Sequence, residues 1–507
     1  MTAHHVAAVD LGATSGRVIV GTVDGGSLRL RHVARFPNEP VRTRDGLHWD
    51  LLGLYRGVLG GLARAVRETP GPIASLGVDS WAVDYGLLRG GALLGLPYHY
   101  RDDRNEAGVA AVHAVVDAPA LYRRNGLQHL PFNTLFQLAV DRERGVLDLA
   151  DRMLLVPDLL TFWLTGTVAA ERTNASTTGL LDARSGEWDR ELAALLGVPD
   201  RVLPPLVDPG APLGALDRDT AATVGGALPV VAVGSHDTAS AIVAVPSTDR
   251  EVAYVSCGTW ALVGLELDAP VLTEEARAAR FTNELGVDGR TRFLHNVMGL
   301  WLLSESIRAW NRAATPEQRS STLQDLLAEA ARLDGPVQVF DVDDARFLAP
   351  GDVPGRIEGW YREHDLPVPA SRAAMVRCIV ESLAQAFADT VERGAQLAGR
   401  SVRAIHLVGG GAQNTLLCQA VADRSGLPVL AGPAEATAIG NVLVQARALG
   451  HLRGDLEELR AVVAASFPPL RFEPASGPRP RLVSTRSPGL AARPATHPSP
   501  APEPQPR

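Results

Sequence analysis

Ala8-Val9-Asp10-Leu11-Gly12-Ala13-Thr14-Ser15-Gly16-Arg17 opens the chain and decides how the rest of it is read. The short run His5-Val6-Ala7-Ala8-Val9 ends in the Asp10 carboxylate. A turn of small residues follows, and then a second apolar run, Val18-Ile19-Val20-Gly21-Thr22-Val23. Two such runs joined by a short glycine-containing turn predict a β-hairpin. Small residues in the turn let backbone N–H groups and the hydroxyls of Thr14 and Ser15 approach an anionic oxygen closely. Asp10, at the strand end beside them, is placed to hold a hydrated Mg²⁺ against phosphate. The same pattern also describes an ordinary hairpin whose Asp10 is a polar turn residue.

The sequence contains no lysine, so all 49 of its Lys-plus-Arg residues are arginine. That excludes the lysine of the G-x-x-x-x-G-K-[ST] phosphate loop and the strand lysine of protein kinases. A nucleotide bound here has its phosphates neutralised by backbone N–H groups, hydroxyls, Mg²⁺ and Arg17.

At 507 residues the chain exceeds one core and predicts two or three domains. Hydrophobic residues at 46% and charged residues at 21% place it among soluble globular proteins. A formal net charge of -8 argues against nucleic-acid binding. Cys257, Cys378 and Cys418 are scattered without a C-x-x-C pair, which predicts neither a zinc site nor a disulfide framework. No signal-like N-terminus and no apolar run of the ~20 residues needed to span a bilayer is present, so a cytoplasmic protein without a membrane partner is expected.

After the hairpin, Leu28–Phe36 reads as a third strand and Asp50–Glu68 as an amphipathic helix. Ile73–Val78 and Val230–Val233 read as buried strands. They end at Asp79-Ser80-Trp81-Ala82-Val83-Asp84-Tyr85 and at Gly234-Ser235-His236-Asp237-Thr238-Ala239-Ser240. Carboxyl ends of strands are where open α/β sheets place their ligands. The strand–turn–strand device then recurs in Glu251–Val255, Ser256-Cys257-Gly258-Thr259-Trp260 and Ala261–Leu267. Ala404–Val408 leads into Gly409-Gly410-Gly411-Ala412-Gln413-Asn414 and a helical run, Thr415–Ser425. Two α/β halves facing a cleft follow, divided near Val243–Arg250 where Pro246, Ser247 and Thr248 break the pattern.

The order of Asp10–Arg17, Ser256–Thr259 and Gly409–Asn414 resembles the actin-like ATPase superfamily. Within it, roughly residues 6–470 are similar to the FGGY carbohydrate kinases. Further stretches carry the resemblance: Val78–Tyr85, Leu130-Pro131-Phe132-Asn133-Thr134-Leu135-Phe136-Gln137-Leu138, Thr173-Asn174-Ala175-Ser176-Thr177-Thr178, Ser235–Ser240 and Asn296-Val297-Met298-Gly299-Leu300-Trp301-Leu302-Leu303. They point to the branch that transfers phosphoryl from ATP to the 1-hydroxyl of L-rhamnulose. The implied fold is α/β, with two actin-like (ribonuclease H-like) domains flanking an ATP/sugar cleft. Residues 1–245 would bind sugar and phosphate, and 246–475 the nucleotide. Residues 476–507, rich in Pro and Ala, would form a disordered tail.

Phosphoryl transfer to an alcohol needs an in-line hydroxyl, charge neutralisation, and usually a carboxylate to accept the hydroxyl proton. Asp237 matches the family's catalytic aspartate; as a residue alone it also reads as an N-cap, since Thr238–Val243 looks helical. By resemblance Asp10 holds Mg²⁺, while Ala13, Thr14, Ser15, Gly16 and Arg17 hold one side of the phosphates and Gly258 and Thr259 the other. Gly410, Gly411 and Asn414 would approach the adenosine. Cys257, beside a phosphate-type turn, reads as a small buried residue. Trp81, Ala82, His236, Asp237, Thr238 and Asn296 match substrate-contact positions, with Trp81 stacking on the sugar's apolar face; as residues alone, Trp81 and His236 are also ordinary core positions. Ala82 stands where relatives commonly have Gly, and Ser304 where a longer Gln is typical near the nucleotide.

The expected partners are a small ketose and ATP, with the oligomeric state open between monomer and dimer. Two alternatives remain at this stage. One is a kinase for another ketose or polyol such as L-fuculose or D-xylulose. The other is an actin-like ATPase that transfers no phosphoryl group to a sugar, although the paired Trp81–Asp84 and Ser235–Ser240 motifs would then have no use.

Overall fold

A computed structural model describes residues 3–313 and 322–475. The expectation for residues 476–507 lies outside the described residues. The opening hairpin forms as read: His4–Leu11 pairs antiparallel with Ser15–Asp24, Asp10 opposite Arg17 and Leu11 opposite Gly16. Ser27–Pro37 continues the meander. On the other side His4–Leu11 runs parallel to Ile73–Ser80, which runs parallel to Pro229–Val231, and Pro212–Ala215 closes the edge antiparallel. The six-stranded sheet is therefore an antiparallel meander of three, two further parallel strands and one antiparallel edge.

The second half repeats that plan. Val252–Cys257, Trp260–Leu267 and Thr291–Met298 form the meander. Ala404–Val408 and Val429–Ala431 follow in parallel, Leu470–Phe472 closes antiparallel, and one extra strand, Thr282–Leu285, lies outside Thr291–Met298. Two sheets of matching topology in one chain are the α/β architecture that the paired hairpins implied.

The helix expected over Asp50–Glu68 is Leu51–Glu68, with the Asp50 carboxylate capping the N–H of Gly53. Leu54, Val58, Leu62 and Ala65 recur on its buried face against the first sheet. The strand expected over Val230–Val233 is shorter, ending at Val231, because the chain leaves the ladder and rejoins it only at His236, bridged to Ser80. That detour brings Ser80–Trp81 and His236–Asp237 side by side.

Between the sheets, the helices Asp237–Val243 and Ala436–Ala448 cross. Their apolar residues join Val6, Ala8 and Ile19 of the first sheet and Tyr254, Leu262 and Val408 of the second in one core. Residues 85–203 form a further lobe with its own core, built on Tyr85, Phe136, Leu138, Leu155 and Trp188. Among the described residues no helix is long and apolar enough to cross a membrane.

Candidate active site

The halves enclose a cavity of about 510 Å³, within the usual range of roughly 300–1,000 Å³ for small-molecule sites. Of the residues expected to bind nucleotide or metal, Asp10, Ala13, Thr14, Ser15, Arg17, Gly258, Thr259, Ser304 and Gly410 line it. Trp81, Ala82, His236, Asp237, Thr238 and Asn296 line it too. Residues as distant in the sequence as Asp10 and Gly410 thus face one space.

Both small-residue turns are braced. In the first, Gly12 N–H donates to Ser15 O (3.0 Å) and Asn38 Nδ2 donates to Gly12 O (2.9 Å). In the second, the start of the Trp301–Ala313 helix donates to the turn: Leu300 N–H to Gly258 O (2.9 Å) and Trp301 N–H to Thr259 O (3.2 Å). The latter bonds carry Ser304 to the cavity wall.

Three expected positions do not line the cavity. A Cβ on Gly16 would sit 2.2 Å from the Phe36 ring, so this glycine admits strand packing. A Cβ on Gly411 would meet Cys257 Sγ at 2.5 Å. Asn414 caps the Thr415–Ser425 helix, its Oδ1 accepting from Leu417 N–H at 3.1 Å. Cys257 itself is buried, and burial pushes its thiol pKa up to about 12, which keeps it a protonated, inert side chain.

Asp237 is not the N-cap. His236 occupies that position without a side-chain cap bond, and Asp237 is the first helical residue. Its carboxylate, 31% exposed to the cavity, accepts from Thr238 Oγ1 (3.1 Å) and lies 3.4 Å from His236 Nε2. No arginine pairs with it among the described ion pairs.

Asp10 is buried and ion-paired to Arg17 Nη2 at 2.7 Å, and Arg17 Nη1 donates to Glu435 at 2.5 Å. Burial pushes the Asp10 pKa up to about 6; Arg17 opposes this, while Asp237 and Glu435 add to it. Asp79, directly beside Asp10 on the parallel strand, is raised further, first by burial and then by Asp10. Asn441 Nδ2 holds its Oδ2 at 2.5 Å. No group of three or more metal-ligating side chains occurs among the described residues. A protein cage for a metal is therefore absent there; Asp10 Oδ2, buried and 2.7 Å from Arg17 Nη2 without hydrogen-bond alignment, is an anionic oxygen that a cation with water and phosphate as its other ligands would share with that guanidinium.

Trp81 is both a core residue and a cavity wall. Its ring lies 4.0 Å from Trp49, and its Nε1 donates to Asp84 Oδ2 at 3.0 Å. Trp49 Nε1 (2.6 Å), Tyr100 N–H (3.2 Å) and Gln137 Nε2 (3.0 Å) complete the Asp84 shell. Between them Val83 holds φ +67, a strained conformation for a β-branched residue, with Thr134 Oγ1 donating to its carbonyl at 2.7 Å.

Motif reading missed a polar sheet face. Glu284 pairs across strands with Arg292 and Thr282 with Leu294, while Asn296 lies two residues beyond Leu294 on the same face. Thr282, Glu284 and Asn296 line the cavity. Fully buried Arg292 sits under them, 3.1 Å from Glu284. Gln128 reaches over from the additional lobe and accepts from Asn296 N–H (2.9 Å) and Nδ2 (3.1 Å). Glu435, the Arg17 partner, was missed as well. Asn296 was named from its motif; Thr282, Glu284, Arg292, Gln128 and Glu435 belong to no glycine-rich turn or strand-end motif.

Two matched domains with a carboxylate at the cavity between them agree with family comparisons along the chain. Residues 5–244 match the N-terminal domain of the FGGY family of carbohydrate kinases, and residues 253–449 match its C-terminal domain. The chain belongs to this family. It is a carbohydrate kinase, with ATP as the phosphoryl donor. Among curated relatives, the rhamnulokinase of Pectobacterium atrosepticum is 42% identical over 94% of this chain and 94% of its own. That of Bacteroides thetaiotaomicron is 40% identical over 92% and 95%. The fold is shared with solved sugar kinases. Gluconate kinase from Lactobacillus acidophilus superposes with a TM-score of 0.73 at 16% identity, over 94% of both chains. Plasmodium falciparum glycerol kinase with ADP gives 0.73 at 14%, over 93% of this chain and 94% of that one.

Proposed function

We propose that this carbohydrate kinase phosphorylates L-rhamnulose at its 1-hydroxyl, giving L-rhamnulose 1-phosphate and ADP. The observation that carries the reading is the identity of 40% or more to rhamnulokinases over more than nine-tenths of both chains. Supporting it, a carboxylate that no arginine claims among the described ion pairs, Asp237, faces the same cavity as Trp81, His236, Thr238 and Asn296. In this reading Asp237 accepts the hydroxyl proton as the oxygen attacks the γ-phosphorus and ADP leaves. The braced turns at Gly12–Ser15 and Gly258–Thr259 present N–H groups and hydroxyls to the phosphates. Ser304 and Gly410 lie on the nucleotide side. Gly16 and Gly411 act indirectly, through the close packing beside those turns, and Asn414 by capping the Thr415–Ser425 helix. Asp10 would hold Mg²⁺, which when bound would supply charge neutralisation for the transferred group.

The test is coupled ADP release from a panel of ketoses and polyols. L-rhamnulose is expected to give the highest kcat/KM among L-rhamnulose, L-fuculose, D-xylulose and glycerol, because a polar pocket rejects a mismatched hydroxyl by up to ~10⁴-fold. Faster turnover of another ketose would overturn the substrate and leave the reaction class standing. A return of the preference in Ala82→Gly would then identify the Ala82 methyl as the cause.

A further inference from the structure

Four residues lining the cavity carry a buried side-chain polar atom without a hydrogen-bond partner: Asp10 Oδ2, Arg17 Nε, Gln128 Nε2 and Glu284 Oε2. The first two belong to one ion pair at the phosphate-type turn. The other two touch residues assigned above to the sugar, Gln128 through Asn296 and Glu284 through His236.

The chemistry of both atoms is fixed by their surroundings. Gln128 Oε1 receives the backbone N–H of Asn296, which can only donate. The amide therefore cannot be flipped, and its NH₂ is the group left over. Glu284 Oε2 lies 3.3 Å from His236 Nδ1 and 3.1 Å from Arg292 Nη2, and neither contact has hydrogen-bond alignment. Arg292 Nη2 does align on His236 Nδ1, at 3.1 Å. Because a guanidinium only donates, Nδ1 is the acceptor and the ring proton sits on Nε2. His236 thus has no hydrogen to give Glu284. Burial would raise the Glu284 carboxyl, but the Arg292 guanidinium holds it below the usual glutamate value, so it is an acceptor. The two residues are 2% and 5% exposed, which leaves a ligand as the partner that completes them.

We propose that Gln128 and Glu284 determine sugar specificity: Gln128 Nε2 donates to one ketose oxygen and Glu284 Oε2 accepts from a ketose hydroxyl, both away from the carbon that is phosphorylated. A polyhydroxy ketone supplies both roles at once. This rests on the reaction proposed above and adds to it the groups that sort one ketose from another.

The experiment compares L-rhamnulose with its 3-, 4- and 5-deoxy derivatives on the wild type, Gln128→Glu, Gln128→Met and Glu284→Gln. Gln128→Glu keeps an acceptor for Asn296 and replaces the donor NH₂ with a carboxylate oxygen. The Gln128 variants leave the Glu284–Arg292 pair intact, so they decide the matter even where Glu284→Gln loses its fold; ADP binding by calorimetry reports folding. Wild type is expected to disfavour at least one deoxy sugar by ~10²-fold or more in kcat/KM. In the Gln128 variants that ratio should fall to within a few-fold for one deoxy sugar, and in a folded Glu284→Gln for one deoxy sugar likewise. A merely structural role lowers kcat/KM for all four sugars alike, and ratios unchanged in both Gln128 variants overturn the proposal. A wild type that phosphorylates none of the ketoses overturns the reaction reading as well, which separates the two failures.

Discussion

Asp237 shows what a single side chain contributes and how it is set up. It is the first residue of a helix, yet it makes no cap bond and no arginine claims it among the described ion pairs. Replacing it with Asn preserves its size and its contact with Thr238 but removes the proton acceptor. Asp237→Asn is expected to lower kcat by ~10²–10⁴-fold, with ADP affinity unchanged by calorimetry. Turnover within a few-fold of wild type would remove Asp237 from the proton transfer. Asp237 was legible because it sits in a strand-end motif of polar residues, and Asp10 because it precedes a turn of small ones. Gly411 and Asn414 stand in an equally suggestive run, but close packing on Cys257 and a helix cap produce the same letters as a ligand loop. Glu284, Arg292 and Gln128 gave no signal, since their meaning depends on which strand lies opposite and which lobe folds over.

At the scale of elements, both hairpins could be read because each is local: apolar run, small turn, apolar run, with the register following from the turn. What joins the halves could not. The crossing of the Asp237–Val243 and Ala436–Ala448 helices depends on Gly440, where a Cβ would lie 1.8 Å from the Ser240 carbonyl oxygen. That oxygen belongs to a backbone held by helix hydrogen bonds and cannot rotate aside as a long side chain would. Gly440→Ala is therefore expected to force the helices apart and to cost about 1–3 kcal/mol, the usual penalty for overpacking a core. Chemical denaturation followed by circular dichroism measures it. An unchanged midpoint and slope would mean that the helices do not cross so closely. Nothing in the sequence near Gly440 announces this, since a glycine inside a helix is otherwise only a weak helix former.

In the molecule as a whole, contacts between the halves are of two kinds, and the difference says where it opens. Deep in the centre, the Ala436–Ala448 helix is tied to the first sheet by buried hydrogen bonds. Asn441 bonds Asp79 and Gly77 O (3.2 Å), and Gln445 bonds Ala7 O (3.0 Å) and the Ser75 hydroxyl (2.7 Å). Separating these groups would strand buried polar atoms, so this region is a pivot. At the edge around Arg101 the contacts are a few side chains. Arg101 lies 4.2 Å over the Trp301 ring and donates to Leu348 O, and Phe132 meets Trp260 edge-on at 5.9 Å. With Arg101 half-buried against the buried Trp301, the cation–π contact contributes about 0.5–2 kcal/mol, little enough for a hinge motion to break. Closure is then expected when both ligands bind: the radius of gyration from small-angle scattering should fall on adding L-rhamnulose with a non-hydrolysable ATP analogue. Arg101→Ala removes this clasp without touching the pivot. It is expected to raise the sugar KM several-fold, because part of the binding energy must then close the cleft, while the midpoint of unfolding stays near that of the wild type. An unchanged KM would show that the clasp does not hold the closed state. A large drop in stability would show instead that Arg101 belongs to the structural core and not to a moving edge.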